Sequence, residues 1–280
     1  MSNNTTNVLQ EGVGAAEVAP VPSRPHFSWL NRNVAGMALT SLLSDMGHEM
    51  ATAILPLFLA SIGASAAALG VIEGIADAAS SFVKLGAGWY SDRIGKRKEI
   101  AVAGYAITGV TTGLFALATA WPHLLAARTA GWLGRGIRGP VRDAILAESV
   151  TAEARGRAFG FHRAGDTTGA ILGPVIALGL VSAAFTYRQI FLISMIPGLL
   201  AALAFALFVS DRVRAANKTQ HLVATIKVLP KSFRLYLVGV TVFGLGDFAH
   251  SLLTLRAVQM LTPSLGMLQA GAIGVSLYVL

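Results

Sequence analysis

Ionisable side chains recur inside the long apolar runs of this sequence, and each of them needs a partner or a function there. An ionised group at the centre of a lipid bilayer costs at least about 2.5 kcal/mol. A carboxylate in a partly dry cavity could take up and release a proton, and a cation there could hold an anionic solute. The residues that could carry such chemistry are Asp45, His48, Glu49, Glu73, Asp77, Arg135, Asp247 and His250.

Salt bridges between helices are the alternative interpretation of the same residues. The fourth apolar run carries arginines at steps of seven, three and four, which is the spacing of one helical stripe: Arg128, Arg135, Arg138 and Arg142. Arg135 is the best candidate for holding an anionic solute, and it could equally bind Asp45 or Asp77. Arg163 and Asp166 lie three residues apart, so we expect a structural pair.

Metal and enzyme chemistry are not indicated. His48-Glu49 would need a second histidine at position 52 to form a zinc-binding His-Glu-x-x-His motif, and that residue is Thr52. The chain has no cysteine. No nucleotide-binding glycine loop follows a strand, and no pair of nucleophile and base stands out. We therefore predict no enzyme activity, no metal and no cofactor, with a proton or ion gradient as the energy source.

Composition places the chain in a membrane. It has 280 residues, of which 54% are hydrophobic and 13% are charged, whereas soluble domains carry about 25% charged residues. The net charge of +8 could suggest nucleic acid as a partner. Most of the cations, however, lie in short segments between apolar runs, which is how membrane topology is encoded. The predicted partners are thus the lipid bilayer, protons and a small-molecule solute, without nucleic acid.

The fold class follows from the apolar runs. A span takes about 20 apolar residues, and spans in lipid are helical because open strands would leave backbone groups unpaired. We predict an all-α, multi-pass helical bundle with a disordered cytoplasmic tail at 1–33, a six-helix bundle at 34–209, a cytoplasmic linker at 210–234 and two further helices at 235–280, the second incomplete. The predicted spans are 34–59, 66–90, 100–120, 123–145, 158–184, 190–209, 235–256 and 265–280.

The distribution of cations predicts orientation. Fourteen of the 22 Lys and Arg residues fall in segments on one side of the predicted spans, and two fall on the other side. By the positive-inside rule the amino terminus and the loop at 88–98 are cytoplasmic. The predicted location is the bacterial inner (plasma) membrane.

The charged residues also follow a pattern along the chain. Spans 1, 2, 4, 5 and 7 carry internal charges, whereas spans 3 and 6 carry none between their ends. We expect the first group to face a shared polar space and the second to face lipid. The Asp-x-x-His pattern of 45–48 recurs at 247–250, one six-helix block later. Repeated blocks with a binding site between them are a common plan of membrane transporters.

The loop at 88–98 supplies a named resemblance. Gly88-x-x-x-Asp92-Arg93-x-Gly95-Lys96-Arg97-Lys98 resembles the signature between helices 2 and 3 of the major facilitator superfamily. The segment at 124–134, with Arg128, is similar to the helix 4 motif of that family and has Trp132 in place of its usual glycine. The segment at 169–174, Gly-x-x-x-Gly-Pro, resembles the helix 5 motif associated with antiporters.

The resemblance implies a function and a gate. Complete family members have twelve spans in two halves and move small solutes by alternating access. The residues that would form the inner gate are Gly88, Asp92, Arg93, Gly95, Lys96, Arg97 and Arg142. In that reading Gly88 permits close helix approach, Gly95 forms a tight turn, and Asp92 contacts Arg142.

The predicted activity is secondary active transport, with proton-coupled efflux as the favoured mode. Because the sequence stops inside the eighth predicted span, the alternative is a non-transporting, truncated or split membrane protein. Such a protein would need a separate carboxy-terminal half as its partner.

Overall fold

A computed structural model of the chain describes residues 29–211, 229–245, 249 and 251–279. Within these residues the regular structure is helical, with short 3-10 turns at Phe115–Leu117 and Ala152–Ala154. The helices are α1 (Arg32–Ser61), α2 (Ala66–Ile94), α3 (Arg97–Leu114), α4 (Trp121–Glu148), α5 (Arg155–Ser182), α6 (Tyr187–Phe208), α7 (Lys231–Leu245) and α8 (Ser251–Val279). The predicted all-α bundle is confirmed.

Local sequence explains where several helices begin. The side chain of Asn31 accepts a hydrogen bond from the Val34 amide at 3.0 Å and caps α1. Ser65 caps α2 in the same way. At the start of α6, Thr186 and Gln189 form a reciprocal capping box.

The first six predicted spans correspond to α1–α6, and the last two have different boundaries. The structure ends α7 at Leu245 and runs α8 from Ser251 to Val279. Residues 257–264, which we expected to connect two spans, are helical. The interruption lies at Gly266, whose φ of 78° is a left-handed backbone conformation, three residues after Pro263. Periodicity did not locate this kink because both of its flanks are equally apolar.

The six amino-terminal helices pack in a defined order. α1 packs against α5 and α6, α4 packs against α2 and α3, and α3 meets α6 at the back of the bundle. α3 and α6 present exposed apolar side chains, as expected of lipid-facing helices, among them Ile107, Val110, Leu192, Ile196 and Leu203. This arrangement leaves α1, α2, α4 and α5 to form the remaining side, where the charged residues lie.

Four segments of the described residues are long and apolar enough to cross a membrane: Ala66–Lys84, Arg97–Leu117, Ala152–Ser182 and Tyr187–Phe208. α1 and α4 are of similar length, 30 and 28 residues. Like α2 and α5, these two helices carry ionisable side chains of the candidate site.

Glycines bring α1 and α5 into backbone contact. A Cβ added to Gly165 would lie 2.5 Å from the Ala38 carbonyl oxygen, and one on Gly173 would lie 2.5 Å from that of Met46. A Cβ on Gly169, between them, would overlap the Leu42 carbonyl oxygen. Any larger residue would separate the two helices, so the carboxylates of α1 and α5 are held at a fixed distance.

Candidate functional site

Arg128 on α4 and Glu73 on α2 form a closed ion pair. Arg128 Nη2 donates to Glu73 Oε1 and Oε2, both at 3.1 Å, and Nε donates to Oε2 at 3.3 Å. Nη1 donates to the Thr52 hydroxyl of α1 at 2.9 Å. The two charged side chains are 4% and 6% exposed. Every nitrogen of this guanidinium has an acceptor, so the pair joins three helices in a dry environment.

Arg135 and Asp45 form a second ion pair that is more open. Arg135 Nη2 donates to Asp45 Oδ1 at 3.0 Å, which is the salt bridge named above as the alternative role of Arg135. The Arg135 side chain is 21% exposed, and its Nη1 is buried without a hydrogen-bond partner. A single hydrogen bond therefore holds this arginine, where several hold Arg128.

Asp166 on α5 extends the second pair. Ser41 on α1 and His162 on α5 are joined by a buried hydrogen bond of 2.6 Å. One turn further along each helix, Asp45 and Asp166 lie close enough to interact. Two neighbouring carboxyl groups form a hydrogen bond with each other when one of them carries a proton. Asp166 also accepts from Arg163 at 2.7 Å, so the expected Arg163–Asp166 pair is present.

Trp132 lies between the two ion pairs. Its ring centroid is 5.6 Å from Cζ of Arg128 and 5.4 Å from Cζ of Arg135. His48 meets the same ring edge-on at 5.6 Å. The sequence identified Trp132 only as a departure from the helix 4 motif. The available signal was its spacing, four residues after one arginine and three before the next, which places all three on one helix face.

The other arginines of α4 point elsewhere. Arg138 is 3% exposed and lies 3.9 Å from the centroid of the Tyr105 ring on α3, a cation–π contact. Arg142 donates to its neighbour Asp143 at 2.9 and 3.0 Å. The expected basic stripe is therefore divided among contacts with α2, α1, α3 and α4 itself.

Part of the predicted gate is described. Gly95 ends α2 in a left-handed conformation, φ 72°, and its amide donates to the Ser91 carbonyl at 2.9 Å, so the expected tight turn is present. Arg97 forms a salt bridge of 3.1 Å with Glu148 at the end of α4. Arg93 lies over the Trp89 ring, and Lys96 is exposed.

The expected roles of Gly88 and Asp92 in the gate are not seen in the described residues. A Cβ on Gly88 would lie 3.8 Å from Cβ of Pro140, an ordinary contact, so this conformation does not need glycine there for close approach. The Asp92 side chain lies outside the described residues. Its contact with Arg142 stays a prediction.

The remaining candidates are dispersed. Glu49 on α1 is half-buried and close enough to Arg135 to interact electrostatically, whereas Asp77 on α2 is exposed. Asp247 and His250 lie outside the described residues. Among the residues that are described, no group of three or more His, Asp or Glu side chains is arranged to hold a metal. The structure thus brings Asp45, His48, Glu49 and Arg135 together with Trp132 and Asp166.

Known proteins share this architecture. The family model of the Major Facilitator Superfamily matches residues 37–279. An uncharacterized MFS-type transporter of Methanocaldococcus jannaschii is 32% identical over 233 residues, covering 83% of this chain and 58% of the relative. The quinolone resistance protein NorA of Staphylococcus aureus is 22% identical over 182 residues, or 65% of this chain and 46% of NorA.

A solved structure agrees with these matches. The inward-facing, occupied structure of a bacterial homolog of the human lysosomal transporter Spinster superposes with a TM-score of 0.65 at 20% identity, covering 92% of this chain and 59% of that one. This chain therefore spans a little over half the length of the Methanocaldococcus relative and of the Spinster homolog. On its sequence and its fold, the chain belongs to the major facilitator superfamily of membrane transporters.

Proposed function

We propose that this transporter moves a small solute out of the cell in exchange for protons, and that Asp45 binds the coupling proton. The observation that carries the proposal is the open Asp45–Arg135 pair. Asp45 accepts one hydrogen bond from a partly exposed arginine and lies beside a second carboxyl group, that of Asp166. A cation beside Asp45 favours its ionised form, and a second carboxyl group favours its protonated form, so Asp45 can adopt both.

The geometry suggests a sequence of events. When Asp45 is ionised, its attraction holds Arg135 against α1. When Asp45 takes up a proton, that attraction is lost and Arg135 becomes available to another acceptor, including a solute. The Arg128–Glu73 pair, with its donors bound, keeps α1, α2 and α4 together throughout. The energy source in this scheme is the proton gradient, without a cofactor.

Export is favoured over import by two observations. The Gly169-x-x-x-Gly173-Pro174 segment resembles the antiporter motif, and its glycines lie against the α1 backbone beside Asp45. One relative, though distant, is named as a quinolone resistance protein.

We also propose that the transporting unit includes a second half that packs on α7. This helix is exposed along the described length, with Leu235 at 71% and Phe243 at 81%. The relatives are longer than this chain, which supports the same idea. An open reading frame that continues beyond codon 280 with further spans would support a second half in the same protein. Solute exchange by the purified chain alone would argue against the requirement for a second half.

Proteoliposomes containing a pH-sensitive dye test proton coupling. A panel of solutes is added outside, and solute-dependent proton movement is recorded for wild-type protein, Asp45→Asn and Glu49→Gln. We expect loss of proton movement in Asp45→Asn with solute counterflow retained. Glu99→Gln, an exposed carboxylate at the start of α3, serves as the matched control. Intact pH-dependent transport in both cavity variants would refute the assignment.

A further inference from the structure

Buried polar atoms without a hydrogen-bond partner are concentrated on α4. Among the described residues seven such side-chain atoms occur, and four of them lie on this helix at every third position: Thr129 Oγ1, Trp132 Nε1, Arg135 Nη1 and Arg138 Nη1. Folded proteins leave few buried polar groups unsatisfied, because the group loses water and gains nothing in return. The concentration of such atoms on one helix indicates that they form hydrogen bonds with a group that is not part of this chain.

The chemistry of these atoms defines what would satisfy them. Tryptophan Nε1 and the guanidinium nitrogens can only donate hydrogen bonds. The missing group must therefore be an acceptor. Cζ of Arg135 lies 5.4 Å from the Trp132 ring centroid, so the side chains that carry these two donors are neighbours. Two neighbouring donors suit an acceptor that has two oxygens, such as a carboxylate.

The charges of α4 define how negative that acceptor should be. Glu73 balances Arg128, Asp45 balances Arg135, and Asp143 balances Arg142. Arg138 is nine-tenths buried and rests on an aromatic ring rather than on a carboxylate. Arg138 is thus the arginine of this stripe that no described carboxylate binds directly, which favours a ligand that carries negative charge.

The surroundings also favour a flat ligand. The Trp132 N–H group belongs to a large aromatic ring that contacts Arg128, Arg135 and His48. A planar, aromatic ligand would add one more flat group to this cluster of rings and guanidinium planes. Asp45 occupies only Nη2 of Arg135, so Nη1 is the atom left to bind the ligand.

We propose that Trp132 Nε1 and Arg135 Nη1 bind the carboxylate of a small, flat organic monoanion, and that Arg138 supplies the balancing positive field. This inference rests on the proposed transport function, for which it names the substrate class. Trp132 and Arg135 are then substrate-binding residues, and Arg138 is a positioning residue that acts through its charge.

Binding is tested directly on the purified full chain in lipid nanodiscs by isothermal titration calorimetry. The probes are acetate, benzoate and 2-naphthoate, each compared with its neutral amide. We expect saturable binding of the carboxylates, tighter for the aromatic ones, and binding of the amides at least about a hundredfold weaker. Trp132→Phe keeps an aromatic ring but removes the N–H, and we expect it to weaken benzoate binding about tenfold.

Two further variants complete the design. Trp121→Phe, at the start of the same helix, is the matched control and should bind benzoate as the wild type does. Arg135→Lys keeps the charge but lacks the second nitrogen, and we expect a similar tenfold loss. Circular dichroism verifies that each variant is folded. If Trp132→Phe does not fold, the inference is tested by the benzoate affinity of Arg135→Lys and by the comparison of benzoate with benzamide.

Several results would overturn the inference. These are equal binding of benzoate and benzamide, no binding of any carboxylate, unchanged affinity in Trp132→Phe, or displacement of benzoate by chloride at equal concentration, which would indicate a halide site. Carboxylate binding without any carboxylate-driven proton movement in proteoliposomes would leave the site in place and refute the proposed coupling. Proton-coupled transport of neutral solutes alone would support the proposed coupling and refute the carboxylate site.

Discussion

Two ion pairs on α4, seven residues apart, are built differently. Arg128 binds both oxygens of Glu73 and the hydroxyl of Thr52, and its side chain is 4% exposed. Arg135 makes one hydrogen bond to Asp45, leaves Nη1 without a partner and is 21% exposed. The first arginine cannot move without leaving a charge unpaired in a dry site. The second has a nitrogen, Nη1, that is left to bind another partner.

This difference separates two roles that similar sequence features can play. A buried arginine and carboxylate on neighbouring membrane helices can fix those helices together or can exchange partners during transport. The number of bonded donors and the exposure of the side chain distinguish the two roles here. The predictions below alter one pair while leaving the other intact.

The largest effect is expected from breaking the closed pair. Arg128→Met leaves the Glu73 carboxylate buried without a counter-charge, which costs about 3–5 kcal/mol. We expect a much lower thermal unfolding temperature of the purified protein in a fixed detergent. The double variant Arg128→Met/Glu73→Met should recover most of the loss. A single variant as stable as the wild type would contradict the structural role of this pair.

A smaller effect is expected from separating α1 and α5, which alters only the open pair. Gly169→Ala places a methyl group against the Leu42 carbonyl. Overpacking of this kind costs about 1–3 kcal/mol. It should also weaken the contact of Asp45 with Asp166 and reduce proton-coupled transport. Gly74→Ala, whose Cβ would meet open space, is the matched control in the same assays; equal losses in the two variants would argue against the α1–α5 contact.

Removing one accessory bond of the closed pair should matter less. Thr52→Val keeps the shape of the side chain and deletes the acceptor of Arg128 Nη1. The expected loss of stability is about 0.5–1.5 kcal/mol, the net contribution of one hydrogen bond, because Arg128 keeps its bonds to Glu73. The substitution should leave the pH dependence of transport unchanged. A shifted pH dependence would indicate that the Arg128–Glu73 pair takes part in proton transfer.

The smallest effect is expected at the exposed end of the open pair. The Arg163 side chain is 77% exposed where it binds Asp166, and exposed ion pairs contribute about 0–1 kcal/mol. Arg163→Gln should therefore barely change the unfolding temperature, measured at low and at high salt. A loss comparable with that of Arg128→Met would show that this salt bridge is buried in the assembled protein.

The sequence allowed some of this architecture to be predicted for clear physical reasons. Apolar length and internal charge located α1–α6, and three-residue spacing predicted the Arg163–Asp166 bond, because both follow from helix geometry. Helix periodicity also placed Arg128 and Arg135 on one stripe. It did not indicate that Glu73 binds the first and Asp45 the second, since those choices depend on how α1 and α2 pack against α4.

Other features depend on three-dimensional packing and could not be read from one chain. Trp132 resembled an irregularity of a motif, and its place between two arginines became clear only with both ion pairs defined. The contact of Asp166 with Asp45 requires the glycine-mediated approach of α5 to α1. The kink at Gly266 lies within apolar sequence that resembles an ordinary span.

The central claim is that the closed pair stays ionised while the open pair carries the proton. Infrared difference spectra of the protein in lipid nanodiscs, recorded between about pH 8 and about pH 5, detect the C=O band of a protonated carboxyl group. We predict that Asp45→Asn diminishes this band and that Glu73→Gln leaves it unchanged. A band that disappears in Glu73→Gln and persists in Asp45→Asn would contradict the account.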